Sequence, residues 1–221
     1  MHDNHGQTPS PLARGDLSSG IVVAGRAAPE EASVLARAAA WAEGRNGWVR
    51  LPVLLWFLYI LNGHLRDPDY QSLFGGLDLA IHEAGHLVFG WLGEFIGVAG
   101  GTIMQLAAPL IAAELFRRQR DFFAIAVAAC WLSVNLFDVS RYAGDARAQA
   151  LPLVSPTSGD PLHDWNFMLA RLNLLTRDTA IAAGIRALAI GVMILGIAAG
   201  GWLVWKMLRP DPAPPEAPTA A

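Results

Sequence analysis

Residues 70–116 read YQSLFGGLDLAIHEAGHLVFGWLGEFIGVAGGTIMQLAAPLIAAELF, and their only charged or imidazole side chains are Asp78, His82, Glu83, His86, Glu94 and Glu114. A helix needs about 20 apolar residues to cross the hydrocarbon core of a bilayer, so this run is too long for one crossing and predicts two helices. The glycines between 90 and 101 offer the place to turn, and from Thr102 to Phe116 the run meets no breaker but Pro109. Working outward, Arg117, Arg118 and Arg120 form a short basic loop, and residues 122–137 resume the apolar pattern. Residues 187–205 carry no charge at all, the strongest membrane-spanning signal in the chain. Upstream, LPVLLWFLYIL at 51–61 is short, but Trp48 before it and Asn62, Gly63 and His64 after it let a helix extend by a turn.

The predicted fold is therefore all-α: a polytopic transmembrane bundle of about five helices, with a polar outer loop over about 141–178 between the last two. Residues 48–208 make the membrane-embedded domain. Residues 1–47, mixed in Pro, Gly, Ser and charge, read as a mobile tail with a short surface helix over 29–43, and the Pro-rich residues 209–221 as a disordered one. His2 and His5 in the first tail read as solvated. No basic amino terminus followed by an apolar run is present to act as a secretory signal.

Composition agrees. Of 221 residues 53% are hydrophobic and 16% charged, against about a quarter charged in soluble domains, which argues against a purely soluble protein. A formal net charge of -3 leaves no basic field to neutralise phosphates, so no nucleic-acid partner is expected. Cys130, the only cysteine, can form no intrachain disulfide. The cations at 117–120 and at Lys206 and Arg209 place that face and the carboxyl terminus on the cytoplasmic side of a bacterial membrane by the positive-inside rule. Five crossings would then put the amino terminus outside, an awkward place for Arg45 and Arg50.

Chemistry concentrates at His82-Glu83-Ala84-Gly85-His86, which matches H-E-x-x-H. Residues four apart stack on one helix face, so two imidazoles can converge on one zinc ion, and Glu83 beside them can act as general base on a water there. Three ionisable groups within five apolar-flanked positions are costly in a bilayer unless they coordinate, pair or face water. A catalytic zinc needs a third protein ligand, and the sequence offers Asp138, Asp145, His163 and Asp164 without choosing by spacing. Asp138 can pair with Arg141 on the same helix face, and His163 and Asp164 stand at a helix start that Asp160 or Asp164 could cap. If the motif helix starts near Tyr70, His86 and Asp138 lie at matching depth. Gln105, about eleven residues from a turn near Glu94, falls level with His82, where it could bind a substrate carbonyl or oxyanion.

HEAGH in an apolar helix, GGTIMQL opening the next, then Asn135 followed by Asp145-Ala146-Arg147 resemble the site-2 protease class of intramembrane zinc metalloproteases. The resemblance is closer still to a group of small bacterial HEAGH-containing membrane proteins with NLFD, DARAQ and HDWNF segments, covering roughly residues 50–205. By this resemblance His82 and His86 are zinc ligands, Glu83 the base and Asp145 the carboxylate ligand. Asp145-Ala146 stands where that class has Asp-Gly, the usual prolines before it are missing, and the segment with His163 and Asp164 has no counterpart there. His163 rivals Asp145 because imidazole is the commoner zinc ligand. Gln105, Asn135, Asp138 and Asp164 are expected to bind substrate or support the ligands. The implied activity is hydrolysis of a peptide bond in a membrane protein or peptide, within or next to the bilayer. A non-catalytic membrane protein using the metal for structure, sensing or transport is the rival from another class.

Overall fold

The computed structural model describes residues 33–153 and 162–209, and the expectations for the rest of the amino-terminal tail, His2 and His5, and the Pro-rich end lie outside the described residues. Those described form seven α-helices and two short 3-10 turns, with no strand among them: α1 Val34–Ala42, α2 Leu51–Arg66, α3 Gly75–Phe89, α4 Glu94–Arg118, α5 Phe122–Gly144, α6 Asp164–Arg171 and α7 Asp178–Leu208. Three stretches are long and apolar enough to cross a membrane: Glu94–Arg118, Phe122–Gly144 and Leu175–Leu208. The motif helix α3 has 15 residues and α2 has 16. At 1.5 Å per residue both fall short of the roughly 30 Å hydrocarbon core.

The chain turns from α3 to α4 through Gly90–Leu92 and Gly93, whose φ of 99° only glycine adopts without strain. Gly97, Gly100 and Gly101 therefore lie inside α4 rather than in the turn. They serve close approach: a Cβ at Gly100 would stand 2.7 Å from the Gly85 carbonyl oxygen and from Phe89 Cβ. This is small-residue packing, the contact by which apolar helices associate where no hydrophobic force separates them from lipid.

α5 is the most buried of these three long apolar helices and packs antiparallel on α7. Gly196 admits Cys130 Sγ, Ser133 Oγ donates to Ala189 O (2.7 Å) and Ser140 Oγ donates to Ala182 O (2.8 Å). Phe57, Ile60, Val134 and Met193 fill the centre beside them. α2 runs with α5, since Leu54 meets Gly200 near one end of α7, while toward the other end His64 stacks on Phe137 (4.1 Å) and its carbonyl accepts from Arg186.

The link between α2 and α3 departs from expectation. Instead of a crossing, residues 67–74 fold back along α2: Tyr70 packs edge-on to His64 (4.9 Å), and Phe74 stacks on Trp56 (5.1 Å) and Phe57 (6.0 Å). α3 starts there, five residues after Tyr70, and runs in the direction of α2 and α5, with Asp78 beside Trp131 and His82 beside Tyr142. The aromatic side chains at 70 and 74 hold the fold-back, because each finds a ring partner on α2. The later start removes the depth match of His86 with Asp138. It also changes the parity of the bundle. α1, the start of α2, the Arg117–Arg120 loop and the end of α7 now share one end, seen in Trp41 against Phe122 (6.0 Å), Arg50 over Phe123 (5.7 Å) and Gly47 against Leu208. Arg45 and Arg50 thus join the other cations.

Candidate metal centre

The opposite end of the bundle carries the HExxH residues. His86 Nδ1 donates to the Gly97 carbonyl (2.9 Å) and His82 Nδ1 to Gln105 Oε1 (3.0 Å), both acceptors on α4. Each imidazole, when neutral, thus holds its proton on Nδ1 and presents a bare Nε2 lone pair, the form in which histidine ligates. Both Nε2 atoms face Asp164 Oδ2, at 2.9 Å from His82 and 3.2 Å from His86. One ligand atom from each of the three residues lies within 4.8 Å of the other two, so this group could hold a metal ion. Two atoms each about 2.1 Å from a shared tetrahedral ion stand about 3.4 Å apart, close to both separations seen here. Burial would raise the Asp164 carboxyl, but His82 and His86, which donate to it from Nε2 when doubly protonated, hold it below its ordinary value.

Asp164 arrives from outside the bundle, at the first turn of α6. His163 caps that helix, its Nδ1 accepting from the Asn166 N–H (3.2 Å), and the Asp164 N–H donates to the Tyr142 hydroxyl (3.0 Å). These contacts turn the 164 side chain down toward α3. Asn166 Nδ2 donates to Ala146 O (2.7 Å), and Arg171 pairs with Glu94 (2.8 Å) to tie the helix over the site.

The two residues favoured from sequence as the third ligand are placed differently. With Nδ1 accepting at the cap, His163 carries its proton on Nε2 and directs it to Asp145 Oδ2 at 3.2 Å, so both ring nitrogens are used. Asp145 Oδ1 accepts from the Ala150 N–H (2.9 Å) and Oδ2 from the Leu151 N–H (3.0 Å). Burial opposes its ionisation, and those two donors and His163 more than offset this, leaving its carboxyl below the usual value. The pair positions the chain on either side of Asp164 and is not among the converging atoms.

Asp138 lines the cavity beside His82 and Glu83 without joining the group, and Arg141 pairs with Asp69 (3.1 Å) rather than with Asp138. Asn135 donates from Nδ2 to Trp131 O (3.0 Å), deeper in the bundle. Gln105 lies beside His82, whose Nδ1 donates to its Oε1, and a substrate carbonyl or oxyanion would be met by its Nε2 donors. Glu83 lines a cavity of about 430 Å³ together with His82, Gln105, Asp138 and Tyr142, and its Oε2 is buried with no hydrogen-bond partner among the described residues. An unpaired buried carboxylate oxygen is costly unless something it serves completes it.

Sequence reasoning does not single out Tyr142, and it reads the glycines of α4 as part of a turn. A Cβ at Gly101 would overlap the His82 ring, and one at Gly85 would overlap the Gly100 carbonyl. For the glycines a signal exists: the small residues at 97, 100 and 101 recur at helical spacing opposite the HEAGH glycine.

No protein-family model matches the chain, and neither a curated protein nor a solved structure shows significant similarity to it.

Proposed function

We propose that this protein is a membrane-embedded, zinc-dependent peptidase that cleaves a membrane protein or peptide substrate near one face of the bilayer. The observation that carries this reading is the convergence of His82 Nε2, His86 Nε2 and Asp164 Oδ2 beside a cavity lined by Glu83, whose Oε2 has no hydrogen-bond partner among the described residues. Two imidazoles, one carboxylate and an open side form the donor set of a catalytic zinc rather than a closed structural one. Bound there, zinc supplies Lewis-acid polarisation and lowers the pKa of a water molecule. The chain's own residues do the rest. Glu83 takes a proton from the attacking water and passes it to the leaving amine. Gln105 and the Gly97 carbonyl hold the two imidazoles in the ligating tautomer. α6, laid over the site, limits the entry of bulk water.

The test is cleavage of fluorescein-labelled casein by the detergent-purified protein. We expect activity that disappears with a chelator, returns with zinc, and falls about 10²- to 10⁴-fold in Glu83→Gln while the metal content stays unchanged, because that carboxylate moves a proton and binds no metal. Equal rates in the wild type and Glu83→Gln would defeat the peptidase reading. A second reading, metal transport or sensing, is favoured by the buried carboxylate Asp78 and the half-buried Asp138 on the cavity wall. It predicts zinc accumulation in proteoliposomes with no cleavage.

The reading includes an orientation, with both ends of the chain's described part on the cytoplasmic side of the membrane and the metal centre toward the outer face. The cations Arg45, Arg50, Arg117, Arg118, Arg120, Lys206 and Arg209 at one end of the bundle support it. Cys130 is fully buried, so single added cysteines report cleanly. In intact spheroplasts a membrane-impermeant maleimide should label Leu172→Cys and leave Ser33→Cys and Arg209→Cys untouched until the membrane is opened. Opposite behaviour of Ser33→Cys and Arg209→Cys would mean an odd number of crossings and would refute the fold-back at 67–74.

A further inference from the structure

We propose that the Tyr142 hydroxyl donates a hydrogen bond to the carbonyl oxygen of the substrate held at the His82–His86–Asp164 site. The proposal rests on the hydrolase reading and assigns a substrate-touching role to a residue outside the H-E-x-x-H motif. A phenol has one proton to give and lone pairs to receive with. Tyr142 Oη receives the Asp164 N–H at 3.0 Å, and its own proton has no acceptor among the described residues. Tyr142 lines the cavity with His82 and Glu83.

Its position is fixed rather than opportunistic. The Tyr142 ring is wedged between the His163 ring, 4.4 Å away, and the His82 ring, 6.0 Å away. The backbone N–H on its oxygen also polarises the O–H bond, which strengthens it as a donor. A substrate carbonyl held here needs a donor, and the carboxylates around it supply none. Glu83 and Asp138 offer carboxylate oxygens, Gln105 Oε1 already accepts from His82, and Arg141 Nε is turned to Asp69. Tyr142 thus brings an uncommitted O–H donor to the lining of the cavity beside the metal centre. A donor aimed where negative charge develops on a carbonyl oxygen stabilises the transition state more than the bound ground state.

The experiment uses the full-length protein loaded with cobalt(II), whose visible spectrum reports the coordination shell, and acetohydroxamate as a probe with a carbonyl oxygen. Tyr142→Phe keeps the ring and removes the donor. We expect it to take up cobalt with the wild-type spectrum, at an affinity lowered by no more than about 10- to 100-fold because the Asp164 N–H loses its acceptor, and at saturating cobalt to bind acetohydroxamate about 10- to 100-fold more weakly, the size of one lost hydrogen bond to a charged acceptor. As a second variant, 3,5-difluorotyrosine at position 142 carries a more acidic hydroxyl and should bind the probe more tightly than the wild type does. Unchanged probe affinity in both variants overturns the proposal. So does loss of cobalt from Tyr142→Phe, which would assign the hydroxyl to holding Asp164 alone. Failure of the wild-type protein to take up cobalt would instead remove the metal centre itself, so the two failures are distinguishable.

Discussion

Alanine at His82, His86 or Asp164 is expected to empty the metal centre, whereas alanine at Asp145 or His163 is expected to leave it filled. The purified wild-type protein should carry about one zinc per chain, and the three ligand variants close to none. Each of the three removes a whole coordination bond from a site with only three protein donors. Asp145 and His163 act one layer further out. His163 caps α6 and Asp145 holds the backbone at Ala150 and Leu151, so losing either tilts Asp164 without removing it. Removal of such a supporting group typically costs about 10- to 100-fold in metal affinity, which a chelator titration resolves. Full occupancy in Asp164→Ala together with loss in His163→Ala would show that α6 seats itself a residue out of register in the metal-bound protein, and would return the ligand role to the imidazole.

That contrast also marks how far the sequence can be read. The H-E-x-x-H pair on one helix face follows from the period of the helix alone, and the long apolar runs from bilayer thickness, because both are local properties. The choice between the adjacent residues 163 and 164 is not local. It depends on where α6 begins, since one step along a helix turns a side chain by about 100°. Asp is a favoured cap and His is not, so residue preference puts the aspartates first as candidates for the cap. In the structure the imidazole caps α6, and that frees Asp164 to face the two histidines. The fold-back at 67–74 is hidden for a similar reason. Tyr70 and Phe74 look like part of the apolar run that follows them, and only their ring partners on α2 show that they belong to the segment before it.

The glycines of the α3–α4 contact support a prediction about backbone rather than ligand. In an open helical position, Gly→Ala favours the helix by about 1 kcal/mol. A Cβ at Gly184 or Gly191 on α7 would meet open space, so alanine at either should be neutral or mildly stabilising and leave metal affinity unchanged. Gly85→Ala should do the reverse. Its methyl would overlap the Gly100 carbonyl, and a backbone atom has no rotamer by which to move aside, so the two helices must separate. Overpacking of this kind costs about 1–3 kcal/mol or more, which exceeds the gain in propensity. Separation also draws His82 from Gln105 and His86 from the Gly97 carbonyl, the two bonds that set the ligating tautomers. Gly101→Ala presses on the same site more directly, because its methyl would overlap the His82 ring. Both variants should therefore lose zinc at chelator concentrations that Gly184→Ala tolerates, and Gly85→Ala should also unfold at lower temperature in the apo form. Wild-type zinc affinity in Gly85→Ala would mean that α3 and α4 are not in backbone contact, and that the imidazoles owe their orientation to something other than α4.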